Sequence, residues 1–230
     1  MWTETRRPRH FQDIVGHHEI KEALRAYVMS PPPYRSAIVL TGSPGIGKTT
    51  LALAVGETFG FDITELNAGK SLRSYADVDA LKDASRSSIS VSSLLRGERK
   101  RICLVLDEID GSDPHAQRRL SEWLSKEDLA VPVLCTCNEV PALFKKPRIQ
   151  ILRCFPPSTA DIQTLFPEED GERLAVECKH DIRTILQRLQ YGSSDVLPAP
   201  LSQSLKWSPE VSHWKRQKMW TEIDPILRKT

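Results

Sequence analysis

An open α/β fold, with parallel strands covered by helices on both faces, is predicted by three features of the sequence. Continuous apolar runs recur at Ala37-Ile38-Val39-Leu40 and Ile102-Cys103-Leu104-Val105-Leu106, the signature of strands buried on both sides rather than one. Between such runs lie segments with apolar residues at helical spacing. The first run leads directly into a glycine-rich turn, Gly42-Ser43-Pro44-Gly45-Ile46-Gly47-Lys48-Thr49, so strand, turn and helix succeed one another in the order of a parallel crossover unit.

The elements are justified in order. A short basic lead-in, Trp2 to Pro8, precedes a helix around Glu19 to Met29, where Ile20, Ala23, Leu24 and Tyr27 share a face and Pro31-Pro32-Pro33 forces the end. A helix opens near Lys48 and buries Leu51, Val55 and Phe59 before Gly60 releases the chain. Ile63 to Leu66 reads as the second strand. The serine-rich stretch from Lys70 to Gly97 holds one helix near Ala76 to Ala84 and an otherwise mobile segment. After the Ile102–Leu106 strand, Asp113 caps and Pro114 opens a helix with Ala116, Leu120, Trp123 and Leu124 on its buried stripe. Val131 to Cys137 is a further strand, with Pro132 tolerable only at its start, and Arg148 to Phe155 is the last.

Beyond Pro156-Pro157 the pattern becomes helical. Ser158 with Asp161 forms a weak capping signature, and Ile182, Ile185, Leu186 and Leu189 define an amphipathic helix ending at Gly192. Ser193 to Ser204 reads as a linker, succeeded by a tail with Trp207, Trp214 and Trp220 among Lys215, Arg216 and Lys218. That tail has two readings, docking onto a protein surface or stacking on nucleic-acid bases. The expected division is a core over 1–155, a short helical lid over 156–192, and linker plus tail over 193–230.

Composition narrows the function classes. Lys and Arg number 32 against 30 Asp and Glu, so no strong overall field favours nucleic acid or membrane. No apolar run is long enough to span a bilayer and the N-terminus lacks a signal-peptide segment, which points to a nuclear or cytoplasmic protein with no membrane partner. The five cysteines lack paired spacing and fit a reducing compartment; Cys135 and Cys137 share one face of a strand with no second ligand pair.

The chemistry is carried by the turn and by the residues just past the later strands. Gly42, Ser43, Pro44, Gly45, Ile46, Gly47, Lys48, Thr49 and Thr50 form the expected nucleotide-binding loop, because glycines let successive N–H groups face phosphate oxygens at a helix N-terminus. Lys48 is expected on the β and γ phosphates, and Thr49 on Mg²⁺. Asp107-Glu108-Ile109-Asp110 falls just past a strand, where open α/β sheets present ligands. Asp107 would anchor Mg²⁺, Glu108 would polarise the attacking water, and Asn138 would hold that water or the γ-phosphate. ATP and Mg²⁺ are the expected cofactors.

The motifs, in order, resemble replication factor C, the AAA+ clamp loader. Trp2-Thr3-Glu4-Thr5-Arg6-Arg7-Pro8 with Ile14-Val15-Gly16 is similar to the family's opening, Glu65-Leu66-Asn67-Ala68 with Arg73-Ser74 to a box of its large subunit, and Asp107-Glu108-Ile109-Asp110-Gly111 to the large-subunit form of the acidic motif. Cys135-Thr136-Cys137-Asn138-Glu139 resembles sensor 1 and Asp181-Ile182-Arg183 resembles sensor 2.

The resemblance implies a P-loop AAA+ core with a five-stranded parallel sheet and a helical lid, in a subunit that works with other clamp-loader ATPase subunits, a sliding clamp and primer-template DNA. By the same implication Arg183 touches the γ-phosphate, and Arg7, Pro8, Val15 and Gly16 line the adenine side. Pro147-Arg148-Ile149 stands where the family's arginine finger falls, leaving Arg148 as a weak candidate for that role. Arg73, Arg86, Arg96 and Arg99 to Arg101 are candidate DNA-backbone contacts. The stretch after Gly192 does not read as the family's helical collar, so a reduced version of such a subunit, or one with different partners, is expected. Two other readings stay open: an assembly subunit that binds ATP without turning it over, and another AAA+ remodeller.

Overall fold

In the computed structural model, residues 2–90 and 95–191 are described. The chain divides into two compact units, Met1–Gln187 and Arg188–Thr230; of the second only residues 188–191 are described, and the tryptophan-rich tail lies outside the described residues.

Five strands form one sheet: β1 (Ala37–Thr41), β2 (Phe61–Asn67), β3 (Arg101–Asp107), β4 (Val133–Cys137) and β5 (Ile149–Arg153). Their spatial order is β2-β3-β4-β1-β5, and every pairing is parallel. Consecutive residues of β1, β3 and β4 are buried, which a period-two chain permits only when both faces are covered. The last two strands are shorter than their apolar runs suggest. Pro132 cannot donate, so β4 begins after it, although its carbonyl still accepts from the Leu104 N–H at 2.9 Å. β5 ends at Arg153, shortly before Pro156-Pro157 removes two further donors.

The longer helices of the core are α2 (His18–Val28), α3 (Lys48–Phe59), α5 (Tyr75–Ala84) and α6 (Pro114–Lys126), with the short turns α1 (Trp2–Thr5) and α4 (Ala68–Ser71). Asp113 accepts from His115 N at 2.8 Å with Pro114 in the first turn, and Ala116, Leu120, Trp123 and Leu124 are buried as their spacing requires. Ser74 and Asp77 close a full capping box on α5. Phe59 at the end of α3 meets Phe11 edge-on, ring centres 5.3 Å apart. The segment expected as the lid holds α7 (Thr159–Leu165), α8 (Gly171–Glu177) and α9 (Ile182–Tyr191). Ser158 and Asp161 form a complete capping box, and of the expected stripe on α9 only Ile185 is fully buried.

Candidate nucleotide site

The parallel topology carries the loops after β1, β3 and β4 to one edge of the sheet, and these loops hold the site. Gly42 enters the turn with φ +151°, and a Cβ there would stand 2.4 Å from the Cys154 carbonyl oxygen of the strand-end beside it. Only glycine allows that approach. Gly47 then precedes α3, whose first residues are Lys48 and Thr49.

Lys48 is 8% exposed. Its ammonium donates to Gly42 O at 2.8 Å, Ser43 O at 2.7 Å and Asn138 Oδ1 at 3.0 Å. Burial pushes its pKa below the ordinary lysine value. Thr49 Oγ1 donates to Asp107 Oδ1 at 2.9 Å. Thus Lys48, Thr49, Asp107 and Asn138, drawn from three loops, form two hydrogen-bonded pairs at one place. Thr49 and Asp107 supply a hydroxyl and a carboxylate side by side, hard oxygen donors of the kind Mg²⁺ accepts while sharing its shell with phosphate and water. The donor set therefore fits that ion.

Glu108 adopts φ 57°, ψ 48°, left-handed backbone that a residue with a side chain rarely takes. Its Oε2 accepts from Asn67 Nδ2 at 2.8 Å, and its own N–H donates to Thr136 Oγ1 at 3.3 Å. Thr136, 2% exposed, also donates its hydroxyl to Asp107 Oδ1. Asn138 is held at both backbone atoms: Asp110 Oδ2 accepts its N–H at 2.9 Å, and Thr41 Oγ1 donates to its carbonyl at 3.0 Å. Thr136, Asn67 and Asp110 escaped the sequence reading as site residues. For Thr136 the available signal was alternation, since it stands two residues before Asn138 and shares its face of the strand; Asp110 sits in the short helical turn Ile109–Gly111 after β3, where no periodicity marks it.

Val15 and Gly16 lie beside the loop: the next residue, His17, donates from Nε2 to Ile46 O at 3.1 Å, and a Cβ on Gly16 would stand 3.5 Å from Asp161 Oδ2 of the lid. Burial depresses the His17 pKa below the ordinary histidine value, against the opposing pull of the Ile46 carbonyl. Arg183 is exposed in the first turn of α9, next to Ile182, whose N–H donates to Gly45 O at 3.1 Å.

Other expected residues are placed elsewhere. Arg7 and Pro8 line a pocket of about 560 Å³ with Gly56, Glu57 and Gly60, at the end of α3 remote from the loop, and Arg7 pairs with Glu4 at 3.1 Å. The lead-in packs across this end of α3, where Phe11 N donates to Thr58 Oγ1 at 3.0 Å, and so places Arg7 and Pro8 apart from the phosphate loop. Arg148 donates to Arg35 O at 2.7 Å and pairs with Asp128 of its own chain. The candidate DNA arginines do not form one patch. Arg73 comes after β2 on the site edge, whereas Arg99 stands just before β3 at that strand's opposite end and Arg96 lines the pocket by Arg7 and Lys100. Arg86 pairs with Asp83, and Arg101 covers the Phe61 ring at 4.7 Å. All five cysteines are free and buried, and burial raises Cys137 and Cys154 to about 11.

A parallel sheet with a phosphate-loop lysine, a strand-end acidic pair and a polar residue after the neighbouring strand defines a P-loop nucleotide-binding protein. The profile of the ATPase family associated with various cellular activities (AAA) matches residues 38–156, and the chain belongs to that family. It is 33% identical over 156 residues to the replication factor C large subunit of Methanococcus maripaludis, covering 66% of this chain and 30% of the relative. It is 31% identical over 147 residues to that of Thermococcus kodakarensis, covering 61% of this chain and 28% of the relative. The matched region is thus less than a third of these relatives' length. The fold is shared with the Thermotoga maritima RuvB Holliday junction branch migration motor: TM-score 0.59, 19% identity, 80% of this chain and 64% of that one. No described helix is long and apolar enough to cross a membrane.

Proposed function

We propose that this chain is an ATP-binding and ATP-hydrolysing subunit of a DNA sliding-clamp loader of the replication factor C large-subunit type, using ATP to open a clamp and load it at primer-template DNA. The observation that carries the reading is the pairing of Lys48 with Asn138 and of Thr49 with Asp107, which collects the motif residues into one site. Similarity to replication factor C large subunits supports the choice of machine.

In this reading the loop N–H groups and Lys48 hold the β and γ phosphates, and the base lies toward Val15 and Gly16. Thr49 and Asp107 would hold Mg²⁺, which when bound neutralises charge across the phosphoryl oxygens. Glu108 takes the proton of the attacking water. Asn138, with Oδ1 committed to Lys48, directs its Nδ2 donors at the water or the γ-phosphate. Arg183 adds positive charge from the lid.

The test is ATP turnover with and without primed DNA, clamp and partner subunits, together with identification of proteins that copurify. Lys48→Ala should abolish ATP binding, and Glu108→Gln should bind ATP without hydrolysing it. Undiminished turnover by Glu108→Gln would refute the base assignment, and copurification without any clamp or related ATPase would refute the machine. A second reading, an assembly subunit that binds ATP without turnover, is favoured by the hold of Asn67 on Glu108. Tight binding with no hydrolysis under any partner condition would select it.

A further inference from the structure

We propose that Asp181 is the positioning residue for Arg183, and that it works by seating the start of α9 directly on Gly45 of the phosphate loop. The proposal rests on the reading of Arg183 as a phosphate-facing residue. Among the described residues no hydrogen bond or ion pair fixes the Arg183 side chain, so its place is set by the first turn of α9. Three contacts define that turn. Asp181 Oδ1 accepts from Thr184 N at 3.0 Å, Ile185 N donates to Asp181 O at 3.0 Å, and Ile182 N donates to Gly45 O at 3.1 Å. The loop carbonyl thus takes a place that a helix's own turn leaves unfilled, satisfying one of its orphan N–H groups.

The fit at this contact is tight. A Cβ on Gly45 would lie 1.8 Å from Asp181 Oδ1 and 2.5 Å from Oδ2, so the carboxylate fills the space a side chain at position 45 would need. Gly45 also has φ +73°, the left-handed region. Loop and lid therefore meet backbone to backbone, with Asp181 as both cap and spacer. Any turn of the Gly45 carbonyl shifts Ile182 N, and Arg183 is the next residue. The same segment contains a control: Asp170 caps α8 by accepting from Arg173 N at 3.0 Å and, among the described residues, makes no hydrogen bond to the loop.

The experiment measures Mg²⁺–ATP affinity and turnover for the full chain with its partner subunits, with melting curves for each variant. Asp181→Ala and Arg183→Ala should each weaken ATP binding about tenfold, the size expected for one charge-assisted contact, and the double variant should be no worse than either alone. Asp181→Asn keeps an acceptor for Thr184 N and should stay within about twofold of wild type. Asp170→Ala should lower the melting temperature and leave ATP affinity unchanged. Asp181→Ala matching Asp170→Ala in both readouts would overturn the proposal, as would effects of Asp181→Ala and Arg183→Ala that multiply. Arg183→Ala with unchanged binding would instead sink the underlying reading of Arg183. Should Asp181→Ala fail to fold, Asp181→Ser keeps an acceptor for Thr184 N with a shorter side chain and reads the spacer role in its place. Its ATP affinity should still fall several-fold, and wild-type affinity counts against the seat.

Discussion

The side-chain amide of Asn67, at the end of β2, donates to the Glu108 carboxylate at 2.8 Å, so the acid at the end of β3 is held by its neighbouring strand. A base bonded sideways is not free to meet water. Asn67→Asp keeps the oxygen that accepts from Lys70 N and removes the donor to Glu108. Turnover without partners should rise about fivefold, the equivalent of about 1 kcal/mol for one exposed hydrogen bond. Unchanged or reduced basal turnover, measured as phosphate release, would show that this bond does not restrain the site.

Thr136 joins the acidic pair through one hydroxyl, donating to Asp107 and accepting from the Glu108 N–H. Thr136→Val preserves shape at a buried position and removes one hydrogen bond from each group, Asp107 keeping that from Thr49. It should destabilise by about 2 kcal/mol, a fall of about 4–8 °C in melting temperature for a chain this size. ATP turnover should fall with it. A melting point within a degree of wild type would contradict the role given to this hydroxyl.

The left-handed backbone at Glu108 gives a comparison in which the carboxylate is lost in both variants. Glu108→Gly should be more stable than Glu108→Ala by about 1 kcal/mol, because only glycine takes that conformation without strain. Urea titration of the two proteins reads the difference. Equal midpoints would mean that the turn relaxes on substitution.

His17 links the loop to acid stability. Burial lowers its folded pKa below the unfolded value of 6.5, so as pH falls below 6.5 the unfolded chain takes up the proton first and stability declines. Lys21 and His18 add to the depression, while the Ile46 carbonyl and Asp161 oppose it. His17→Asn should flatten the melting-temperature slope between pH 6.5 and 5. Parallel slopes for the two proteins would assign the acid loss to other groups.

Much of this architecture is readable from the residues because several levels agree. The runs at Ala37 and Ile102, the glycine turn and the Asp113-Pro114 start each identify one element, and the structure has those elements. The lid was legible only at its two ends. α8 has little periodicity to read: seven residues beginning with glycine, held by an Asp170 cap and by Gly171 packed against Gln163. The site's loops were implied by the parallel topology, but its hydrogen bonds were not, since Thr136 and Asn67 act through partners 29 and 41 residues away. Arg7 and Pro8 illustrate the opposite limit. A motif identifies residues, whereas the route of the lead-in past Phe11 and Phe59 decides which end of α3 they reach.

The position of β1 between β4 and β5 also has a consequence for synthesis. The glycine turn leaves the ribosome well before both strands that flank β1, which are encoded about a hundred residues later. A nascent chain halted before Arg153 lacks one of those supports, so the capacity to retain nucleotide should arrive late and abruptly. Such distant parallel pairings fold slowly, and a ligand that binds only the finished sheet would draw newly made chains toward completion.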